Sequence, residues 1–265
     1  MLELQSYGNL ASALDINDLG VVVGFYSLGS AINVNPVRWV NEEVEILVDE
    51  VGFATAINNL GSIAGYMRFT EAFILDTELH RLGRYSRGAA INDLNNQGVG
   101  VGSLSSGNPV IWTTSGYESL SSPTYKAEPI AINDHGWVTG YSDLGAILWR
   151  NGLAEIILPN VDPDSKFSAR DINNRGQIVG YGSGPNDFAF LWEGGEVYRP
   201  GDRLIPEDSH FTITSIEGIN ENGQMIGLAT SPLTGEIGFM LNPVPEPTGF
   251  LLLVGGWACL IRKPA

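Results

Sequence analysis

The sequence predicts an all-β protein: six repeats of about 40 residues forming a six-bladed β-propeller. Three observations predict it. A strip of the form I/L-N-x-x-G-x-x-x-G recurs six times, its Asn residues spaced by 41, 37, 38, 40 and 47. Each strip lies between two short apolar runs rich in Val and Ile. Two more short strand-like runs follow most strips, giving four strands per repeat, the plan of a propeller blade.

The strips run from Ile16, Ile57, Leu94, Ile132, Ile172 and Ile219. Their first two fixed positions are Asn17 and Gly20, Asn58 and Gly61, Asn95 and Gly98, Asn133 and Gly136, Asn173 and Gly176, and Asn220 and Gly223. Flanking runs such as Ala54-Thr55-Ala56-Ile57 and Gln177-Ile178-Val179 are too short for helices and read as the arms of a hairpin. Asn bonds its own backbone two residues on, and Gly accepts positive φ, so N-x-x-G is a turn with a mechanism. The second Gly of each strip (Gly24, Gly65, Gly102, Gly140, Gly180, Gly227) is expected at a strand end, marking a bulge or a close backbone approach.

The third strand of each repeat reads Val37-Arg38-Trp39, Phe73-Ile74-Leu75, Val110-Ile111-Trp112, Ile147-Leu148-Trp149, Phe190-Leu191-Trp192 and Phe239-Met240-Leu241. The Trp residues hold equivalent positions, which points to core packing between blades rather than a sugar-stacking platform. A fourth strand follows in the first five repeats, within 44–48, 79–82, 117–120, 155–158 and 196–198. In the sixth, Leu241 runs straight into Asn242-Pro243. Leu2-Glu3-Leu4 resembles the missing strand, so residues 1–5 are expected to pair as the outer strand of the last blade and close the ring, removing exposed edges.

With 265 residues, 43% hydrophobic, the chain can form one large all-β domain over 1–242. Its 14 basic and 30 acidic residues give a net charge of −16, and no basic stripe exists. Nucleic acid as a partner is therefore excluded, because its phosphates demand clustered Lys and Arg. Cys259 is the only cysteine, which leaves no disulfide framework and no thiolate metal site. Met1-Leu2-Glu3-Leu4-Gln5 has neither a basic n-region nor an apolar h-region, so no signal peptide is expected in the sequence as written.

Residues 243–247 are a Pro-rich linker, and 248–265 form a tail of different character. TGFLLLVGGWACLI, Thr248 to Ile261, carries no charge and is followed by Arg262-Lys263. As a short apolar helix it would span about 21 Å, less than the roughly 30 Å hydrocarbon core. Its place between a rigid linker and a basic pair favours a transient membrane or sorting segment over a buried helix. The basic end would stay cytoplasmic, with the propeller outside.

Two resemblances rest on these residues. The six strips with their F/I-x-W strands, over about 11–241, resemble the HAF family of extracellular repeats. Val244, Pro245, Glu246 and Pro247, then the apolar stretch, then Arg262 and Lys263, resemble a PEP-CTERM sorting signal. What the resemblance implies is export in a Gram-negative bacterium and sorting by an exosortase-type enzyme. It also implies residence at the cell surface or in an exopolysaccharide (biofilm) matrix, in a structural or adhesive role.

Candidate chemistry is sparse. Asp15-Ile16-Asn17-Asp18 invites a calcium reading, but the fifth loop position is Leu19 and other copies place His135 or Arg175 in the loop, so structural turns are favoured. Two residues before each Asn the chain reads Asp15, Ala56, Asp93, Ala131, Asp171, Gly218. The three Asp could face a channel and hold a cation, calcium among them; alternatively each caps its own turn or bonds a neighbouring blade. Trp137 with Tyr141 could form an aromatic patch for a glycan, against the plainer reading of an ordinary strand residue. The loop over 200–210 is a further place to look for a partner. His80, His135 and His210 match no metal pattern, no G-x-S-x-G is present, and no cofactor is implied. The expectation is a non-enzymatic protein whose partners are matrix polysaccharide or matrix protein. A lectin-like module is the alternative, and a polysaccharide-active enzyme is the weaker one.

Overall fold

Short runs of Val, Ile and aromatic residues, punctuated by Asn-Gly turns, fold into hairpins. The computed structural model describes residues 10–27, 33–41, 43–68, 70–84, 89–104, 107–124, 126–160, 164–184, 188–203, 210–233, 235–243 and 257–260. They form six antiparallel sheets whose strand order follows the chain. The first sheet comprises β1 (Ala11–Ile16), β2 (Val22–Ser27), β3 (Val34–Val40) and β4 (Glu43–Ile46). The second comprises β5 (Gly52–Ile57), β6 (Ile63–Met67), β7 (Glu71–Leu75) and β8 (Leu79–Arg84). The third comprises β9 (Ala89–Leu94), β10 (Gly100–Leu104), β11 (Pro109–Thr113) and β12 (Gly116–Ser119). The fourth comprises β13 (Ala127–Ile132), β14 (Val138–Ser142), β15 (Gly145–Arg150) and β16 (Leu153–Pro159). The fifth comprises β17 (Lys166–Ile172), β18 (Ile178–Ser183), β19 (Phe188–Glu193) and β20 (Glu196–Tyr198). The sixth comprises β21 (Thr212–Ile219), β22 (Met225–Ser231), β23 (Gly235–Pro243) and β24 (Trp257–Leu260). A single turn of 3₁₀ helix, Pro200–Arg203, is the one helical element among the described residues.

The chain divides into two units, Met1–Gly136 with Asn151–Leu153, and Trp137–Arg150 with Ala154–Ala265. One packing rule holds within each. In the first unit β2 lies on β5 and β6 on β9; in the second, β14 lies on β17 and β18 on β21. The first strand of a sheet is thus the element that meets its predecessor. Val23 packs with Ala54, Ile57, Ile63, Met67 and Phe73, while Ala64 and Ile74 pack with Ile91, Leu94, Val110 and Trp112. In the second unit Val179 and Leu191 meet Ile216, Ile219, Met225 and Leu241. Trp39, Trp112 and Trp149 are fully buried, so the periodic Trp are core residues. Removing one costs about 3–5 kcal/mol.

Three expectations need correction. The second Gly of each strip lies inside a strand rather than at its end: Gly24 pairs with Ala13 and Gly65 with Ala54, in mid-ladder. The apolar tail was expected as a helix over 248–261, yet its described part, Trp257–Leu260, is strand β24, paired Met240↔Leu260 to Pro243↔Trp257. An uncharged apolar run serves as helix or as strand, and pairing with the edge of β23 decides it here. That pairing also fills the outer position of the sixth sheet, which the sequence assigned to residues 1–5; those residues lie outside the described ones. Among the described residues no helix is long and apolar enough to cross a membrane.

Candidate functional site

The fixed Asn and Gly form one device, repeated. In the first turn Gly20 N–H donates to the Asn17 carbonyl at 2.9 Å, and Asn17 N–H to the Val21 carbonyl at 3.1 Å. Gly20 has φ +76°, and the five equivalent glycines lie between +73° and +84°. This is a turn closed by a left-handed residue, which Gly tolerates at little cost. The Asn17 side chain holds it: its Oδ1 accepts from Leu19 N–H at 3.1 Å and Val21 N–H at 3.0 Å. Asn58, Asn95, Asn173 and Asn220 repeat both bonds.

The other end of the amide works sideways. Asn17 Nδ2 donates to the Asn58 carbonyl (3.1 Å), Asn58 Nδ2 to that of Asn95 (2.9 Å) and Asn95 Nδ2 to that of Asn133 (3.1 Å). In the second unit Asn173 Nδ2 donates to the Asn220 carbonyl at 3.1 Å. One residue on, a more exposed ladder runs parallel: Asp18 N–H donates to Asn59 Oδ1, Asn59 N–H to Asn96 Oδ1, and Asn96 N–H to Asp134 Oδ1. Asn220 is the exception, being exposed, with its amide on its own Gln224 Oε1 at 2.7 Å.

The alternating Asp has an equally specific geometry. Asp15 Oδ1 accepts from Ile16 N–H at 2.8 Å, and its Oδ2 from Ile57 N–H in the next sheet at 2.7 Å. Asp93 serves Leu94 and Ile132 in the same way, and Asp171 serves Ile172 and Ile219. Three carboxylates therefore satisfy six backbone donors. A second Asp at Ala56 or Gly218 would find its donor already taken, which is why a small residue stands there. Of the two readings open in the sequence, this geometry is that of bonding to a neighbouring sheet. Burial pushes the Asp15 carboxyl up to about 6; the Ile57 N–H opposes this and the nearby Asp93 charge adds to it. Asp93 is raised too, by burial first, against the N–H groups of Ile132 and Leu94. Among the described residues no three His, Cys, Asp or Glu side chains are grouped to hold a metal.

The second Gly faces a bulge. Leu14 is the extra residue between the pairs Ala13↔Gly24 and Asp15↔Val23, and it drives the Ser12 carbonyl toward the opposite strand. A Cβ on Gly24 would lie 2.0 Å from that oxygen; Gly65, Gly102, Gly180 and Gly227 meet the same obstacle at 2.0–2.1 Å. The bulge residues themselves lace sheets together: Thr55 Oγ1 donates to the Ile91 carbonyl, Asn92 Nδ2 to that of Pro129 at 2.7 Å, and Arg170 Nε pairs with Glu217 at 3.0 Å. The bulge and the close backbone approach are what the second Gly announced in the sequence; the side-chain contacts of the bulge residues were not anticipated.

Trp137 is part-buried, lies across the turn at Gly176 and carries the Arg150 guanidinium 5.3 Å from its ring centroid. Tyr141 is exposed. Of the 200–210 loop, residues 204–209 lie outside the described ones, as do Val244, Pro245, Glu246, Pro247, Arg262 and Lys263 of the tail.

No protein-family model and no curated protein sequence matches this chain. Solved structures do. The crystal structure of Porphyromonas gingivalis dipeptidyl peptidase 4 is similar over 85% of this chain, with TM-score 0.52 and 10% identity. The chain spans 44% of that structure's length. At such identity the likeness is one of fold alone.

Proposed function

We propose that this chain is a non-enzymatic, exported repeat protein whose six sheets are blades of a β-propeller, with a structural or adhesive role in an extracellular matrix. One observation carries the reading: the strip's recurring Asn side chains hold turns, and four of them also join one sheet to the next. Asn58 accepts two N–H groups of its own turn and donates to the next, and it is buried, so its amide faces protein rather than solvent. Chemistry so used belongs to a scaffold. The tail's resemblance to a sorting signal supports export and processing by an exosortase-type enzyme. Surface fractionation of a Gram-negative host with and without such an enzyme tests this. Retention at the surface only with the enzyme, lost on Pro245→Ala/Glu246→Ala, is expected; equal distribution in both hosts overturns it.

A lectin-like reading draws on the part-buried Trp137, backed by Arg150, beside exposed Tyr141. Titration of the full chain against a matrix polysaccharide, with calcium and with chelator, separates the two. Saturable binding abolished by Trp137→Ala supports recognition of a glycan. Binding abolished by chelator alone would point to a cation held by Asp15, Asp93 or Asp171, and absence of binding leaves the scaffold.

A further inference from the structure

The fourth strand of the sixth sheet is held differently from that of the third or the fifth. β19 turns directly into β20 across Gly194-Gly195, both of positive φ, between the paired residues Glu193 and Glu196. β11 turns into β12 as tightly, between the paired residues Thr113 and Gly116. Turns of this kind fix register and keep the outer strand in place. β24 is reached only after residues 244–256, a stretch that carries Pro245, Pro247, Gly249, Gly255 and Gly256. Closing so long a connector costs more entropy than closing a tight turn.

The pairing itself is short. It runs only from Met240↔Leu260 to Pro243↔Trp257, and Pro243 has no N–H to donate. β22 by contrast pairs with β23 along its whole length, from Met225↔Leu241 to Ser231↔Gly235. Phe239 and Leu241 are buried with Ile216, Ile219 and Met225, so the core beneath β23 draws on β21 and β22. The sheet therefore keeps that support when its outer strand leaves. The strand itself belongs to the uncharged run Thr248 to Ile261, which ends in Arg262-Lys263. A run of that composition favours lipid where a bilayer is offered, with its basic end at the headgroups. One stretch of chain thus has two places to go. Backbone bonds to β23 and burial in hydrocarbon exclude each other, because an open sheet edge does not enter lipid.

We infer that β24 is a releasable strand: in water it covers the edge of β23, and at a bilayer it leaves that edge and enters the lipid. The inference rests on reading the tail as a membrane or sorting segment, and it names the step that precedes sorting. While β24 stays paired, Trp257–Leu260 is kept from the bilayer, and the edge of β23 is kept from pairing with other chains.

The test floats the full chain with phosphatidylcholine vesicles, a neutral lipid on which the net charge of −16 has little hold. Met240 is exposed and stands opposite Leu260 in the ladder. Met240→Cys with Leu260→Cys, in a Cys259→Ser background, therefore places two thiols across the pair, and diamide is expected to join them. Wild type and the reduced variant should float with the vesicles. The oxidised variant should stay behind, and dithiothreitol should restore its flotation. In the wild type, amide exchange of β23 over 240–242 is expected to be slow in buffer and to speed up when vesicles are added. Thiols that fail to join in a chain of native circular dichroism overturn the inference. So does an oxidised variant that floats like the reduced one, a result that leaves the membrane reading of the tail standing. Should the variants misfold, a wild type that floats with its β23 exchange unchanged overturns it equally. Joined thiols without flotation of wild type or reduced variant make β24 a fixed strand, and the membrane reading then falls together with the inference.

Discussion

The turns at Asn58 and Asn220 share a sequence strip and a local geometry but differ in surroundings. Both close with a left-handed Gly, and both Asn side chains accept the N–H groups two and four residues on. Asn58 is buried and bonds the following sheet, whereas Asn220 is exposed and bonds Gln224. The strip thus specifies its turn unaided, while its lateral bond depends on what stands beside it. Local and long-range roles are separable in the same residue.

The glycines sharpen this contrast most. A methyl group on Gly65 would sit 2.0 Å from the Phe53 carbonyl, backbone that cannot step aside. Gly65→Ala is expected to cost more than about 4 kcal/mol or to abolish folding. Gly238, with nothing within 4 Å of its added Cβ, is the control; its Ala variant should stay within about 0.5 kcal/mol of wild type. Equal effects in urea denaturation would show that the bulge does not control the second Gly.

The Asn pair comes next. Asn58→Ala strands two turn N–H groups and removes the bond to the Asn95 carbonyl, for a loss of about 3 kcal/mol. Asn220→Ala acts on groups that water can reach and should cost under about 1 kcal/mol. Similar costs for the two variants would mean that burial of the lateral bond contributes nothing.

The carboxylates give a smaller, pH-dependent effect. Asp15 titrates higher folded than unfolded, so its neutral form favours the folded state. Its contribution is present at low pH and fades as pH rises through about 6. Between pH 7 and pH 4 it adds about 2 kcal/mol of stability. Asp15→Asn should remove that part of the slope, read by unfolding at several pH values. A slope identical to wild type would mean Asp15 stays charged across the range.

Much of this was readable in the chain. N-x-x-G announces a turn because Asn and Gly act within four residues, and the six-fold recurrence of strand-length runs announces six sheets. The alternation of Asp15, Asp93 and Asp171 with small residues was visible too, but its reason was not. The second oxygen of Asp15 serves Ile57, which is 42 residues away. The bulge was announced only by the Gly opposite it, such as Gly24; the bulge residue itself has no marker, since the position of Leu14 holds Thr55, Asn92, Arg170 and Glu217 elsewhere. The tail misled because TGFLLLVGGWACLI lacks any polar period to tell helix from strand; only the open edge of β23 does so.

The shared carboxylate has a consequence for how such a chain can lengthen. Each Asp couples its own sheet to the one after it, so the smallest complete module is a pair of sheets rather than a single repeat. Inserting or deleting one repeat would set two Asp side by side, competing for one donor, or two small residues, leaving a buried N–H without an acceptor. Gain or loss of two repeats preserves every bond. A family of such chains would therefore differ in even steps, with odd-numbered members carrying a repaired junction at which the rule is broken.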